Sequence, residues 1–353
     1  MCSTSNMSLK SAAPALVAAL LFGASTPLAK WLGLDIPPLL LAGLLYLGSG
    51  LGLAALLLAR RVAGSRIAAG VPRRDLPWLL AAIVAGGVAG PALLMSGLAT
   101  TDAAPAALLL NLEGVLTAVI AWLVFKENAD RHIVLGMVAI VAGAVLLSWQ
   151  PGAARPSPGA WLIVGACLCW ALDNNLTRKV SANDALLMAC LKGVSAGAVN
   201  TLLGLAAGAQ LPAAGPLAAV LLVGFAGYGL SLVLFVVALR SLGAARTGAY
   251  FSVAPLFGVL IAFALWPQVP LWTFWVAAVL MAVGVWLHLR ERHEHPHTHA
   301  PLAHAHRHVH DQHHAHEHAF PWDGVEPHAH AHRHAVVTHS HPHYPDIHHR
   351  HDH

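Results

Sequence analysis

The chain has 353 residues, of which 57% are hydrophobic and only 10% are charged, and its mean hydropathy is +0.63. Apolar runs of about 20 residues recur along it, which is the length a helix needs to cross a hydrocarbon core roughly 30 Å thick. The runs are continuous and do not alternate apolar with polar residues, a pattern that favours spanning helices over spanning strands and argues against two soluble domains. The sequence therefore predicts an all-α membrane protein with several crossings.

Ten apolar segments follow one another in the sequence. We place them at about 12–32, 38–59, 77–98, 103–125, 132–150, 159–177, 184–206, 215–238, 244–266 and 270–289. The first segment runs through Pro27 to Trp31 without a convincing small-residue cleavage site. We therefore interpret it as a retained helix and not as a signal peptide.

Lysine and arginine are concentrated in alternate connections between these segments. One set of connections holds Lys10, Arg60, Arg61, Arg66, Arg73, Arg74, Lys126, Arg131, Arg178, Lys179, Arg240 and Arg246. The opposite set holds only Arg155, together with Lys30 at the end of the first segment. By the positive-inside rule the N-terminus is cytoplasmic, and ten crossings bring the C-terminus back to the cytoplasm.

The apolar region consists of two similar halves. Aligning Gly114 with Pro255 gives an offset of 141 residues, and the same offset places Gly143 over Gly284. The first segments of the halves align at a different offset, with 22–31 over 170–179. Five helices per half is an odd number, so the halves have opposite orientations, as in transporters whose substrate site lies at the midplane between inverted repeats.

This organisation divides the chain into five parts. They are a cytoplasmic N-terminus at 1–11, a first five-helix repeat at 12–150, a linker at 151–158, a second five-helix repeat at 159–289 and a disordered cytoplasmic tail at 290–353. The tail is mostly histidine, alanine, proline and acidic residues, a composition that does not build a packed core.

Glu113 is the carboxylate that lies deepest within an apolar segment. Placing a charged group in the hydrocarbon region costs free energy, so such a residue is expected to have a bonding partner or a function. Glu113 is either a neutral acid bonded to a neighbouring helix or a group that exchanges protons or contacts substrate. Thr117 lies four residues on and shares its face of the helix, whereas Asn111 lies on nearly the opposite face.

Other polar residues cluster in the second half. Asp173, Asn174 and Asn175 follow one another near the cytoplasmic end of the sixth segment, where they are either interfacial residues or part of a solute path. In the seventh segment Lys192 is followed one turn later by Ser195.

A lysine as deep as Lys192 needs a partner or water, and Asp173 or Glu113 is the partner we expect. A structural ion pair and a substrate contact both remain open. The candidates for lining the path are Trp170, Tyr228, Ser231, Tyr250 and Ser252, although helix packing explains each of them as well.

These motifs resemble the drug/metabolite transporter superfamily, EamA type. The fourth segment carries Leu112-Glu113-Gly114 followed by an apolar run and Lys126-Glu127, where the family has a Leu-Glu-Pro-like step, an apolar run and a closing Glu. Here Gly114 replaces the proline, and the second half keeps Pro255 but has Gln268 in place of the closing Glu. The resemblance covers about 12–289 and implies secondary transport of a small metabolite, often the export of an amino acid or a related compound.

The tail carries strings of alternating histidines. They are His293, His295, His297, His299, His304, His306, His308, His310, His328, His330, His332, His334, His339, His341 and His343. In an extended chain alternate residues point the same way, so imidazoles gather into sets that suit Zn²⁺, Ni²⁺, Co²⁺ or Cu²⁺. The tail is either a metal-binding regulator, a loading arm, a pH sensor or a solvated segment with incidental metal affinity.

The sequence thus predicts a secondary exporter of a small organic solute in a bacterial inner membrane, with a metal-binding tail. The two alternatives are a transporter of a divalent metal or its chelate, and a membrane metal sensor that moves no solute. We expect no enzymatic activity, because no nucleophile–base pair or phosphate-binding loop occurs. We also expect no required cofactor and no nucleic-acid partner. The sequence leaves a homodimer open.

Overall fold

The computed structural model places helices in every predicted apolar segment. It describes residues 9–64, 71–125, 131–148, 157–178, 184–242, 250–251, 253–267, 269–289, 294–299, 302–308, 328–334 and 337–342. The first half contains α1 (Leu9–Leu32), α2 (Pro38–Val62), α3 (Leu76–Ala82), α4 (Gly90–Thr100), α5 (Ala103–Leu109), α6 (Leu112–Phe125) and α7 (Arg131–Ser148). The second half contains α8 (Pro158–Arg178), α9 (Ala185–Ala206), α10 (Ala214–Gly224), α11 (Ser231–Leu242), α12 (Ala254–Leu265) and α13 (Trp272–Leu289).

Six of the described helical stretches are long and apolar enough to cross a membrane. They are Ala13–Leu32, Pro38–Val62, Arg73–Thr100, Ala103–Val124, Ala185–Ala206 and Ala214–Ala238. Three shorter apolar helices lie at Val134–Leu147, Ala254–Leu265 and Trp272–Leu287. Large apolar side chains are exposed along these helices, among them Leu58, Leu202 and Trp272. A surface of this kind is stable against lipid and not against water.

The last helix of each half packs against the other through the same contact made twice. A Cβ on Gly143 of α7 would lie 2.8 Å from Met281 Cγ and 3.0 Å from the carbonyl oxygen of Ala277. A Cβ on Gly284 of α13 would lie 2.6 Å from both Ile140 Cγ1 and the carbonyl oxygen of Gly136. The offset of 141 residues converts one set of partners into the other, and the two helices run antiparallel. This is the packing that an inverted repeat requires.

Close backbone approach also joins α2 to α9. A Cβ on Gly193 would lie 2.7 Å from the backbone nitrogen of Gly50, and one on Gly197 would lie 2.9 Å from Leu47 Cα. Small residues four apart permit such contacts between membrane helices. At the start of α9, Asp184 accepts hydrogen bonds from the backbone N–H groups of Leu186 and Leu187 at 2.8 and 3.2 Å, which caps the helix.

The fourth segment is two helices and not one, unlike the sequence prediction. Between α5 and α6 the backbone N–H of Asn111 bonds Leu108 O at 3.0 Å, and the Asn111 amide donates to the same oxygen at 2.9 Å. A short amide side chain that bonds a nearby carbonyl competes with helical hydrogen bonding. The break places Glu113 in the first turn of α6 instead of in the middle of a helix.

The third and eighth segments are interrupted by π-helical turns that the sequence analysis missed. The first π-helical segment is Ile83–Ala89, between α3 and α4, and the second is Phe225–Leu230, between α10 and α11. Each wide turn contains two glycines, and the two turns occupy equivalent positions in the halves. π-Helical turns inside α-helices are frequent at functional sites.

Within the described part of the tail, which the sequence predicts to be disordered, four strands occur. They are β1 (Glu294–His299), β2 (Leu302–His308), β3 (His328–His334) and β4 (Val337–Pro342), with β1 paired antiparallel to β4 and β2 antiparallel to β3. The alternation of histidine with other residues is the period of a strand, which accounts for the difference. The remainder of the tail, with His293, His310 and His343, lies outside the described residues.

Candidate functional site

A buried ion pair lies between α8 and α9. The ammonium of Lys192 is 2.6 Å from Asp173 Oδ1 and 2.5 Å from Asp173 Oδ2, and the side chains are 19% and 9% exposed. Thr177, one turn on in α8, donates to Asp173 Oδ1 at 2.8 Å. Asp173 is thus one of the two partners that the sequence predicts for Lys192. Because a buried charge needs a partner, removing either side chain would leave the other uncompensated.

Glu113 is held by a hydrogen bond that crosses between the halves. The Asn174 amide nitrogen donates to Glu113 Oε1 at 2.9 Å and to Thr117 Oγ1 at 3.3 Å. Glu113 and Thr117 belong to α6 of the first half, and Asn174 belongs to α8 of the second. Glu113 also lies in the first turn of α6, where the helix dipole stabilises a negative charge.

In the first π-helical segment, one backbone carbonyl oxygen accepts hydrogen bonds from two side chains. The N–H of Gly90 bonds Ala85 O, and Pro91, which follows it, has no N–H to give to Gly86 O. Tyr46 Oη instead donates to Gly86 O at 3.0 Å, and Trp170 Nε1 donates to it at 2.9 Å. These hydrogen bonds connect α2 and α8 to the π-helical turn.

Asp173 packs directly against Gly86. A Cβ on Gly86 would overlap with Asp173 Oδ2. At the equivalent place in the other half, a Cβ on Gly227 would lie 2.5 Å from Ser25 Cβ. The repeat offsets of 141 and 148 residues relate Gly86 to Gly227 and Ser25 to Asp173. The halves therefore make one contact twice, with a carboxylate in one copy and a hydroxyl in the other.

Aromatic rings continue from this cluster toward α1 and α11. The Tyr46 and Tyr228 rings have centroids 5.5 Å apart, and Phe22 meets Tyr228 edge-on at 6.2 Å. The ring centroids of Phe22 and Phe251 are 5.4 Å apart. Tyr250, which the sequence predicts to line the path, is half-buried beside Phe251. Aromatic pairs in these geometries are stabilising beyond the area they bury.

The symmetry-related counterpart of this site, which also lies between the two halves, is apolar. A small pocket there is lined by Phe22, Gly23, Thr26, Ala107, Leu110, Ala254 and Pro255. The offsets of 141 and 148 residues make Ala254 the counterpart of Glu113, and Thr26 the counterpart of Asn174. The charged side chains therefore make the site asymmetric, although the backbone repeats.

The structure brings together most of the residues singled out from the sequence, in two adjoining groups. Glu113, Thr117 and Asn174 form one, and Asp173 and Lys192 form the other. Ser195 is half-buried one turn beyond Lys192 and has no hydrogen bond to either group within the part of the chain that the structure describes. The sequence analysis did not assign Tyr46 or Gly86 to the site, although the spacing of Gly86 and Gly90 predicts close helix contact. The signals available in the sequence were a lone tyrosine in an apolar segment and a glycine five residues before a proline.

The described helices contain no grouping of side chains suited to binding a metal ion. In the helices that the structure describes, no group of three or more His, Cys, Asp or Glu could hold a metal ion. For the tail histidines that lie on strands, the structure gives the backbone register alone.

Comparison with known proteins identifies the fold and the family. The model of the EamA-like transporter family matches the chain twice, over residues 10–149 and 157–290. The chain belongs to the EamA-like transporter family. It is thus a multi-pass membrane protein of the drug/metabolite transporter superfamily, and the two matches coincide with the two halves read from the sequence. The family description names transport but no substrate.

Individual relatives agree with this assignment. An uncharacterized transporter of Methanothermobacter thermautotrophicus is 30% identical over 201 residues, which are 55% of this chain and 58% of that protein. The uncharacterized transporter YyaM of Bacillus subtilis is 25% identical over 205 residues, which are 55% of this chain and 67% of that protein. The chain thus matches only about three fifths of the first relative's length. A solved crystal structure with 20% identity has a TM-score of 0.58, over 79% of this chain and 96% of its own.

Proposed function

We propose that this EamA-family protein is a secondary transporter that exports a small organic solute, an amino acid or a related compound, between its two repeats. The observation that carries the proposal is the hydrogen bond of Asn174 to Glu113, which joins α8 of one repeat to α6 of the other. Alternating access moves one repeat against the other around a central site. A bond across that interface must break and re-form in each cycle, so it is well placed to respond to a bound solute.

The charges of the cluster suit a solute with both an ammonium and a carboxylate group. Glu113 provides a carboxylate at a helix start, and Lys192 provides an ammonium already paired with Asp173. A zwitterion would bind with its ammonium toward Glu113 and its carboxylate toward Lys192. Thr117, Asn174, Ser195 and Tyr250 would line the path. Carboxyl groups within the membrane also serve as proton carriers, so Glu113 would couple export to proton movement.

The membrane arrangement is part of the same proposal. The ten helical segments make ten crossings, both termini are cytoplasmic, and the protein resides in a bacterial inner membrane. The concentration of lysine and arginine in alternate connections supports the orientation. The family supports the multi-pass arrangement.

Flux into reconstituted vesicles tests the proposal. Purified protein in proteoliposomes is assayed for counterflow of a panel of labelled amino acids and related metabolites, with and without a pH gradient. For the solute that moves, Glu113→Gln lowers the rate at least about tenfold, equivalent to losing an interaction of about 1.4 kcal/mol. Asp35→Asn is the matched control because Asp35 is an exposed carboxylate in the connection between α1 and α2. Equal rates and equal pH dependence in Glu113→Gln and the unaltered protein would refute the role of Glu113.

The second candidate is transport of a divalent metal or its chelate, and the histidine strings of the tail favour it. In the same vesicles, entry of Zn²⁺, Ni²⁺, Co²⁺ or Cu²⁺ is followed with an internal metal-sensitive dye. Metal flux by the full chain, lost in a chain that ends at Glu291, would support this candidate over an organic solute. If neither solutes nor metals move but metal recruits a protein partner, the protein is a membrane metal sensor.

A further inference from the structure

The strand register of the tail places histidines directly opposite one another. In the β2–β3 pair the opposed residues are His304 with His332, His306 with His330, and His308 with His328. In the β1–β4 pair they are His295 with His341, and His297 with His339. Five cross-strand histidine pairs therefore occur in two separate antiparallel ribbons.

The pairs within each ribbon lie on one face. Residues two apart along a strand share a face of the ribbon. Directly opposed residues have Cβ atoms about 4.5–5.5 Å apart, and the next pair on that face lies about 7 Å along the strand. Two consecutive pairs thus place four histidine positions in a small rectangle. The positions between the histidines of β2 and β3 are alanine or arginine, which supply no competing ligand.

We propose that each ribbon is a binding site for a borderline divalent metal ion, located where two consecutive cross-strand histidine pairs share one face. Imidazole nitrogen is a preferred ligand of Zn²⁺, Ni²⁺, Co²⁺ and Cu²⁺, and Zn²⁺ takes four such ligands at about 2.0–2.1 Å. One site uses His295, His297, His339 and His341. The other uses two neighbouring pairs among the three of the β2–β3 ribbon.

Metal binding would stabilise the ribbons themselves. A two-stranded ribbon is marginally stable at best in water. When ligands from two strands bind one ion, the free energy of binding contributes to folding. The tail would then change between a looser and a more ordered form with the metal concentration, next to α13 of the transporter. This inference concerns the tail alone and does not depend on which solute the helical region moves.

A variant with the same composition but a different residue order tests the register. Neighbouring residues are exchanged at four places, His297 with Thr298, Ala305 with His306, Ala331 with His332, and Ser340 with His341. The number of histidines and the charge stay the same, but no two consecutive cross-strand pairs remain on one face. A third protein ends at Glu291. All three are purified in detergent and titrated with Zn²⁺, Ni²⁺, Co²⁺ and Cu²⁺ by calorimetry.

The full chain should bind at least two ions of one of these metals, and the exchanged variant should bind them about tenfold or more weakly, because its imidazoles no longer act together. In the unaltered chain, the bound metal should also slow amide hydrogen exchange in 294–308 and 328–342. Equal affinity in the full and exchanged chains would show that the strings bind metal without the ribbon register and would overturn the proposal. Binding that survives truncation at Glu291, or no binding of any of the four metals, would overturn it as well.

Discussion

Gly86 lies directly against the carboxylate of Asp173, at the point where a π-helical turn of one repeat meets the first helix of the other. The same turn gives its Gly86 carbonyl to Tyr46 and Trp170. A helix irregularity, a buried ion pair and an interface between repeats therefore coincide at one residue. This coincidence is why we propose the transport site here and not at the apolar counterpart beside Ala254 and Pro255.

Replacing Gly86 by alanine should displace Asp173 and impair both stability and transport. The added Cβ would overlap with Asp173 Oδ2, and the carboxylate is held in place by Lys192. Inserting a methyl group into a packed site typically costs about 1–3 kcal/mol. Thermal unfolding in detergent and solute counterflow measure the two effects.

Gly215→Ala is the control for Gly86→Ala, since a Cβ on Gly215 would meet nothing within 4 Å. The repeat supplies a second comparison. Gly227→Ala should destabilise the protein because its Cβ would lie 2.5 Å from Ser25 Cβ. The additional change Ser25→Gly should then restore stability by removing the obstructing atom. If Gly86→Ala behaves like Gly215→Ala, the close contact with Asp173 is wrong.

The ion pair should show strong coupling in a double-mutant cycle. Asp173→Asn and Lys192→Met each leave one charge buried without its partner, which typically costs about 3–5 kcal/mol. The double variant leaves neither charge, so it should be more stable than at least one of the single variants. Apparent unfolding temperatures of the four proteins give the coupling.

Transport separates a functional pair from a structural one. If Lys192 and Asp173 contact the solute, counterflow stays low in the double variant although its stability returns. If counterflow returns together with stability, the pair acts only in holding α8 to α9. Additive effects of the two single changes on unfolding would contradict the pairing itself.

The sequence predicts contacts that depend on charge and on the repeat, but not those that depend on backbone irregularity. The need to neutralise a buried charge limited the expected partner of Lys192 to Asp173 or Glu113, and the structure shows Asp173. The equivalence of Gly143 and Gly284 followed from the offset between the halves. The π-helical turn at Gly86 did not follow, because it depends on donors from Tyr46 and from a helix about 80 residues away, which no local pattern reveals. The roles of the site residues in transport remain predictions.

The carbonyl of Gly86 should tolerate the loss of one donor far better than the loss of both. Tyr46→Phe or Trp170→Phe removes one hydrogen bond, worth about 0.5–1.5 kcal/mol. The double variant leaves the carbonyl without these two donors, so its cost should exceed the sum of the single changes. Unfolding in detergent measures all three. Adding Pro91→Ala to the double variant supplies a backbone N–H in position to bond Gly86 O and should recover part of the loss. No recovery would show that the missing N–H of Pro91 does not create the free carbonyl.

Lys30 should stabilise the C-terminal end of α4. Its ammonium donates to Leu98 O at 2.7 Å and to Thr101 O at 2.6 Å, which lie at the C-terminal end of α4. A cation at this position satisfies terminal carbonyl groups and interacts favourably with the helix dipole, an effect of about 0.3–1 kcal/mol at exposed sites. Lys30→Met should therefore lower the unfolding temperature. Lys30→Arg keeps the charge and the donors, so it should retain most of the stabilisation. Equal unfolding temperatures for Lys30→Met and the unaltered protein would show that the contact contributes nothing to stability. A loss of counterflow in Lys30→Met without a loss of stability would instead assign Lys30 to the movement of α1 against α4 during transport.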